Sequence, residues 1–184
     1  MIPGSEFSRR LVVDPWPGEA IAVDISAGPE ERQALAERFA LLAVHSLRGR
    51  GQVERGREPG EVVLRGRLEA DVVQECVVTL EPVPARLSLS IERRYRAGAA
   101  VSLEPHGLEV LSDDEDEIEP MIDGAIDLGE AFAEELGLAL DPYPRAPGAA
   151  LDANALPPHV SVGPAHGATT AFAALRQLQE KHAR

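Results

Sequence analysis

The alternation of apolar and polar residues between positions 61 and 92 constrains the fold more than any other feature of the chain. Val62, Leu64, Gly66, Leu68 and Ala70 fall on one side of an extended backbone, and Val63, Arg65, Arg67 and Glu69 on the other. Leu87, Leu89 and Ile91 alternate in the same way with Ser88, Ser90 and Glu92. Successive side chains of a strand point to opposite faces, so this period of two predicts strands with one face on a core and one in water. Residues 72–80 continue the first strand as a run rich in β-branched side chains, and Pro82 and Pro84 break the chain before the next. Residues 51–55 read as another strand, joined to position 61 by a turn at Gly56-Arg57-Glu58-Pro59-Gly60. The expectation is an antiparallel sheet.

The flanks add helices. Residues 11–14 and 20–25 are short apolar strands around Pro15-Trp16-Pro17-Gly18, with a hairpin as the simplest pairing. A helix is expected from Pro29, with Gly28 as N-cap and Glu30 and Glu31 at the positive end of its dipole. Leu35, Phe39 and Leu42 form its apolar stripe, which places its end near Leu42. Gly49 and Gly51, isolated and unlike any phosphate-cradling loop, read as a turn or the start of a strand. A second helix is expected after Asp127, with Glu130 completing a capping-box pattern, Phe132, Leu136 and Leu140 on one stripe, and Pro142 and Pro144 stopping it. Residues 112–119 are a self-repelling acidic run, expected as a solvated loop. Residues 145–170, rich in Gly, Pro and Ala, predict a flexible tail; residues 171–184 return to helical spacing. The dipeptides Gly4-Ser5 and Glu6-Phe7 resemble common junction sequences and carry little structural weight at this level.

The fold expected is therefore α+β: an antiparallel sheet, able to curve into a partial barrel, with two helices packed on it. It occupies residues 1–145, and residues 146–184 form a flexible tail ending in a short amphipathic helix. In 184 residues, 44% hydrophobic side chains suffice for a core, but aromatics are only 4%, so aliphatic residues must fill it. A formal charge of −13 opposes general attraction to a phosphate backbone, although a local basic patch remains possible. A lone cysteine, the lack of a secretory leader pattern and the lack of a long apolar run predict a reduced, cytoplasmic protein.

Chemistry-bearing constellations are few. Cys76 has no base supplied by a local motif and reads as a small buried hydrophobe. His45, His106, His159, His166 and His182 show no metal-ligand spacing, and the acidic run lacks the central Gly and closing Glu of an EF-hand. No catalytic residue, metal ligand or cofactor site is assigned. The arginines stand out: Arg48, Arg50, Arg65 and Arg67 lie on two neighbouring strands, and Arg93, Arg94 and Arg96 on a later one. Arginine forks suit phosphate oxygens, so these seven are the candidate RNA contacts. Arg55, Arg57 and Arg86 lie beside them. The opposing reading pairs the arginines with Glu54, Glu58, Glu69 and Glu92 as an ordinary solvated surface. Phe172, Leu175 and Leu178 share a face of the terminal helix and are the candidate partner-binding residues.

The stretch Val72-Val-Gln-Glu-Cys76-Val-Val-Thr-Leu-Glu-Pro82, followed by Gly124-Ala-Ile-Asp-Leu-Gly-Glu130 and Glu134-Glu-Leu-Gly-Leu-Ala-Leu-Asp-Pro142, resembles the YceD family. That family carries a Cys-containing strand with Leu-x-Pro, an acidic loop and an Ile-Asp-Leu-x-Glu helix ending in Leu-x-Leu-x-Pro. The start Glu6-Phe-Ser-Arg9 and the closing Phe172-Ala-Ala-Leu175 fit as well. The resemblance implies a non-enzymatic factor supporting accumulation of large ribosomal RNA and biogenesis of the large subunit. Its partner would be pre-ribosomal RNA or a basic large-subunit ribosomal protein; the alternative is a protein–protein adaptor that never touches RNA. Many relatives carry Cys-x-x-Cys where this chain has Cys76 and Thr79, so a metal or redox role in those relatives does not transfer.

Overall fold

The computed structural model describes residues 5–98 and 118–150. One compact unit, Met1–Pro147, holds every element below. A second, Gly148–Arg184, lies almost wholly outside the described residues, and so do the terminal helix with Phe172, Leu175 and Leu178 and most of the acidic run. The elements are β1 (Arg10–Val12), β2 (Ile21–Ser26), α1 (Pro29–Arg38), β3 (Ala43–Arg55), β4 (Glu61–Glu75), β5 (Pro82–Arg96), β6 (Ile118–Pro120), β7 (Ala125–Asp127) and α2 (Leu128–Ala139).

The fold is α+β. Five strands form one sheet in the order β2-β3-β4-β5-β6, antiparallel except for the β5–β6 pair, and β1 pairs with β7 in a small second sheet. No closed barrel forms among the described strands. Nor is there a hairpin between the first two: β1 joins β7 through Leu11↔Ile126, and β2 joins β3. The loop that carries Trp16 therefore bridges two sheets.

β3 and β5 are longer than the sequence suggested, and β4 is shorter than its expected run to residue 80. β3 begins at Ala43, so Gly49 and Gly51 sit in mid-strand instead of at a turn. A Cβ on Gly49 would lie 2.5 Å from the Phe132 ring, and one on Gly51 2.1 Å from the Arg65 carbonyl oxygen. Gly49 lets the α2 aromatic press onto bare backbone, and Gly51 lets the backbone of β4 at Arg65 and Gly66 come close, approaches that only glycine permits. β5 starts at Pro82, where among the described residues β4 is its one sheet neighbour, so the prolines there forfeit no ladder bond on the other side. β4 ends at Glu75; Cys76 to Leu80 turn the chain, with Leu80 N–H donating to Cys76 C=O at 3.0 Å. Within the acidic run, Ile118 and Glu119 belong to β6.

Each helix ends as its capping chemistry dictates. In α1, Gly28 N–H donates to the Glu31 carboxylate at 2.7 Å, a one-sided cap because glycine has no side chain to return the bond, and the helix stops at Arg38, leaving Leu42 exposed. In α2, Asp127 accepts from Gly129 N–H at 3.0 Å and Glu130 N–H at 3.2 Å. Glu130 does not complete the expected box. Arg38 and Ser5 draw its carboxylate instead, Arg38 at 2.7 Å. Nor is the N-terminal stretch idle: Phe7 has no exposed surface and lies in the core with Leu35, Leu47, Leu64, Leu68, Phe132 and Leu136. Among the described residues no helix is long and apolar enough to cross a membrane.

Candidate functional site

Strand register sorts the arginines. The core face of the sheet carries Leu47, Val53, Leu64, Leu68, Val72 and Ile91. The alternate residues face outward, and across the strands they align in rows. One row is Asp24–Arg50–Arg67–Ser90; its neighbours are Ala22–Gln52–Arg65–Glu92 and Ser26–Arg48–Glu69–Ser88. Arg48, Arg50, Arg65 and Arg67 therefore share one surface.

Their partners differ. Arg48 grips Asp24 with two hydrogen bonds, at 2.8 and 2.6 Å, and this contact holds the Asp24 carboxyl below its ordinary range. Arg65 spans Glu92, with two bonds at 3.0 Å, and Glu54 at 3.0 Å. Arg50 reaches Asp24 only at 3.7 Å, after Arg48 has already claimed it. Arg67 bonds the Ser88 hydroxyl at 3.3 Å and has no carboxylate within ion-pair distance among the described residues. Arg50 and Arg67 are also directly opposed across β3 and β4, an arrangement of like charges that costs stability.

The later arginines do not all join this surface. Arg93 pairs with Leu64 and so lies on the core face, opposite in sense to Arg65. Its side chain is 15% exposed and meets Glu134 at 2.6 Å, Glu119 at 3.0 Å and Glu135 at 3.4 Å. It links β5 to α2 and β6, and of the seven candidate RNA contacts it is the one already met by three carboxylates. Beside it Tyr95 is buried, which raises its phenol above the ordinary range. Arg94 and Arg96 do face outward. Arg94 lies 3.8 Å from Glu92 and 3.9 Å from Glu61, and Arg96 has a buried Nε with no hydrogen-bond partner among the described residues.

Cys76 is fully buried, as its apolar surroundings predicted, yet it is not a plain hydrophobe. Its Sγ accepts N–H groups from Ala146 at 3.3 Å, Thr79 at 3.3 Å and Val78 at 3.5 Å. Led by the Ala146 bond and opposed by burial, these lower the thiol to about 7. Val77 N–H donates to Pro144 C=O at 2.9 Å, so the turn after β4 is stitched to the segment after α2. Among the described residues no three His, Cys, Asp or Glu side chains converge to hold a metal.

Two hollows that the sequence did not single out flank the β3–β4 turn. One, of about 290 Å³, opens on the outer face over Val63 between Arg55, Arg57, Arg65 and Arg94. The other, of about 510 Å³, lies on the opposite side against Trp16, Val62 and Met121. The closeness of Arg55 to Arg57 was legible in the sequence; the position of Trp16 beside them was not.

The description "Large ribosomal RNA subunit accumulation protein YceD" belongs to the family model that matches residues 64–179. That span covers most of β4, the whole of β5 and α2, and more than half of the chain. No curated protein and no solved structure matches. The chain belongs to the YceD family.

Proposed function

We propose that this YceD-family protein is a non-enzymatic cytoplasmic factor that supports accumulation of large ribosomal RNA by binding the pre-ribosomal RNA through the outer face of its sheet. The observation that carries this reading is the Arg50–Arg67 pair. Two exposed guanidiniums stand opposite each other; Arg50 reaches only a carboxylate that Arg48 already holds, Arg67 reaches none within ion-pair distance among the described residues, and Ser88 and Ser90 flank them with hydroxyls. Such an arrangement costs the free protein stability and suits a phosphate oxygen, which would relieve the repulsion. Arg48 and Arg65, held by carboxylates, border it and would orient the approach without supplying most of the attraction. The chain charge of −13 then acts as a filter: long-range attraction is weak, and binding depends on close fit.

The test replaces Arg50 and Arg67 with glutamate and supplies the variant to cells depleted of the protein. The expected outcome is that wild-type protein restores the ratio of large- to small-subunit ribosomal RNA and the variant does not. Full restoration by a stably folded variant would sink the RNA-face reading. It would leave the adaptor reading, in which a protein partner resists nuclease treatment and is lost when residues 171–184 are removed.

A further inference from the structure

The two hollows beside the β3–β4 turn share a wall made of Arg55, Gly56, Arg57 and Glu61. Val62 and Val63 are neighbours on β4 that face opposite ways, so each lines a different hollow and the wall between them is one strand thick. Four arginines line the outer hollow with a single carboxylate, Glu61: Arg65 and Arg94 stand on its outer side, and Arg55, paired with Val62 at the end of β3, reaches it with Arg57 from the wall shared by both hollows. That carboxylate is already committed: Glu61 is buried, accepts Glu58 N–H at 3.0 Å and lies 3.9 Å from Arg94. Arg65 is held in place by Glu54 and Glu92. Arg55 and Arg57 differ from both, since both are exposed and neither side chain makes an ion pair or a hydrogen bond among the described residues. Two guanidiniums without an ion pair or hydrogen bond among the described residues, Arg57 acting on Glu92 only through longer-range attraction, and two held by carboxylates form a seat for an anion with several oxygens.

The opposite hollow has different chemistry. Its floor is apolar, from Val13, Trp16, Pro59, Val62 and Met121, and the carboxylates of Asp14 and Glu58 stand at exposed positions on it. Trp16 is half-buried and is the only tryptophan of the chain. A flat aromatic face in an apolar cleft, one strand away from an arginine cup, matches a ligand with a planar base at one end and a phosphate at the other. A base stacked within a duplex cannot present its face to a side chain, whereas an unpaired one can.

We propose that the β3–β4 turn seats one unpaired RNA nucleotide, its phosphate in the cup of Arg55, Arg57, Arg65 and Arg94 and its base against Trp16. This deepens the reading of RNA contact by the sheet and rests on it. It adds two arginines, Arg55 and Arg57, and sets a preference for single-stranded over duplex segments.

The full-length chain is titrated with a short fluorophore-labelled oligouridylate and with a duplex RNA of equal length. Anisotropy gives affinity and Trp16 emission reports the cleft. Single-stranded RNA is expected to quench Trp16, and the duplex to leave it unchanged. Replacing Arg55 and Arg57 with glutamine, both exposed on the turn, is expected to weaken single-strand binding about tenfold and lower the salt slope by about two. The Arg50→Gln/Arg67→Gln variant should bind more weakly while still quenching Trp16. Single-strand binding without quenching, undiminished in the Arg55→Gln/Arg57→Gln variant, would overturn the seat while leaving contact by the sheet face intact. Equal quenching by duplex would overturn the unpaired-base preference. A wild-type chain that binds neither RNA overturns both readings.

Discussion

Arg93 and Arg67 belong to adjacent strands of one sheet, yet they have opposite fates. Arg93, on the core face, is nearly enclosed and neutralised by three carboxylates from β6 and α2. Arg67, on the outer face, has a serine hydroxyl and an opposed arginine. The residue type is the same; the side of the pleat decides. A guanidinium on the core face is tolerated only when carboxylates come with it, because an unpaired charge out of water costs several kcal/mol. A guanidinium in water needs no such company, so it can be left incompletely matched and available to a ligand.

That contrast can be broken at the core face first. Phe132, fully buried against the bare backbone of Gly49, should cost about 3–5 kcal/mol when replaced by alanine, measured by chemical denaturation. A value near zero would mean that α2 is not seated on the sheet. Arg93→Gln should cost about 2 kcal/mol, since it leaves Glu119, Glu134 and Glu135 without their common cation while partial solvent access softens the penalty. A neutral result would place Arg93 with the surface arginines after all.

Cys76 sharpens the comparison from the enclosed side, because its sulfur is matched by backbone donors rather than by charge. Its thiol is lowered from the ordinary value of about 9 to about 7, so the ionised form favours the folded state. This contribution is complete above pH 9 and fades as pH falls through 7. The stability difference between wild type and Cys76→Ala should therefore widen from pH 7 to pH 9; a constant difference would show that the sulfur stays protonated. On the outer face the expected effect is smallest. Arg50→Gln/Arg67→Gln should move the melting temperature by no more than about 2 °C, and if anything upward, because the like charges are gone. A large drop would show that the pair supports the fold rather than a ligand. Removing residues 148–184 should leave melting within the same margin, if residues 1–145 carry the fold as the sequence suggests.

The parts of this molecule that were legible beforehand are those in which neighbours along the chain decide the outcome. The alternation at Val62 to Ala70 gave the core face of β4, Asp127 gave the start of α2, and Gly28 with Pro29 gave the start of α1. What misled was local evidence that a distant residue overrode. Gly49 and Gly51 resembled a turn because nothing nearby announced Phe132, some eighty positions later, whose ring needs the missing side chain of Gly49, or the backbone of Arg65 and Gly66, which needs that of Gly51. Glu130 resembled a capping partner because Arg38 is not visible from within its own helix. Phe7 was overlooked because a buried aromatic next to the terminus has no periodic context.

The arginines divide along the same line. Sequence placed Arg65 and Arg67 on one face, since two residues on one strand need only the pleat to fix them. By the same pleat Arg93 continues the face of Leu87, Leu89 and Ile91, but sequence could not bring Glu119, Glu134 and Glu135 to it, nor Trp16 to the β3–β4 turn, which depends on β1 pairing with β7 instead of β2. By itself the sequence determined the antiparallel core strands β4 and β5 with their buried face, the helix starts and, through its motifs, the family. The tertiary structure alone decided which guanidiniums are neutralised and which stay open, because electrostatic pairing acts through space between residues that the chain order keeps far apart.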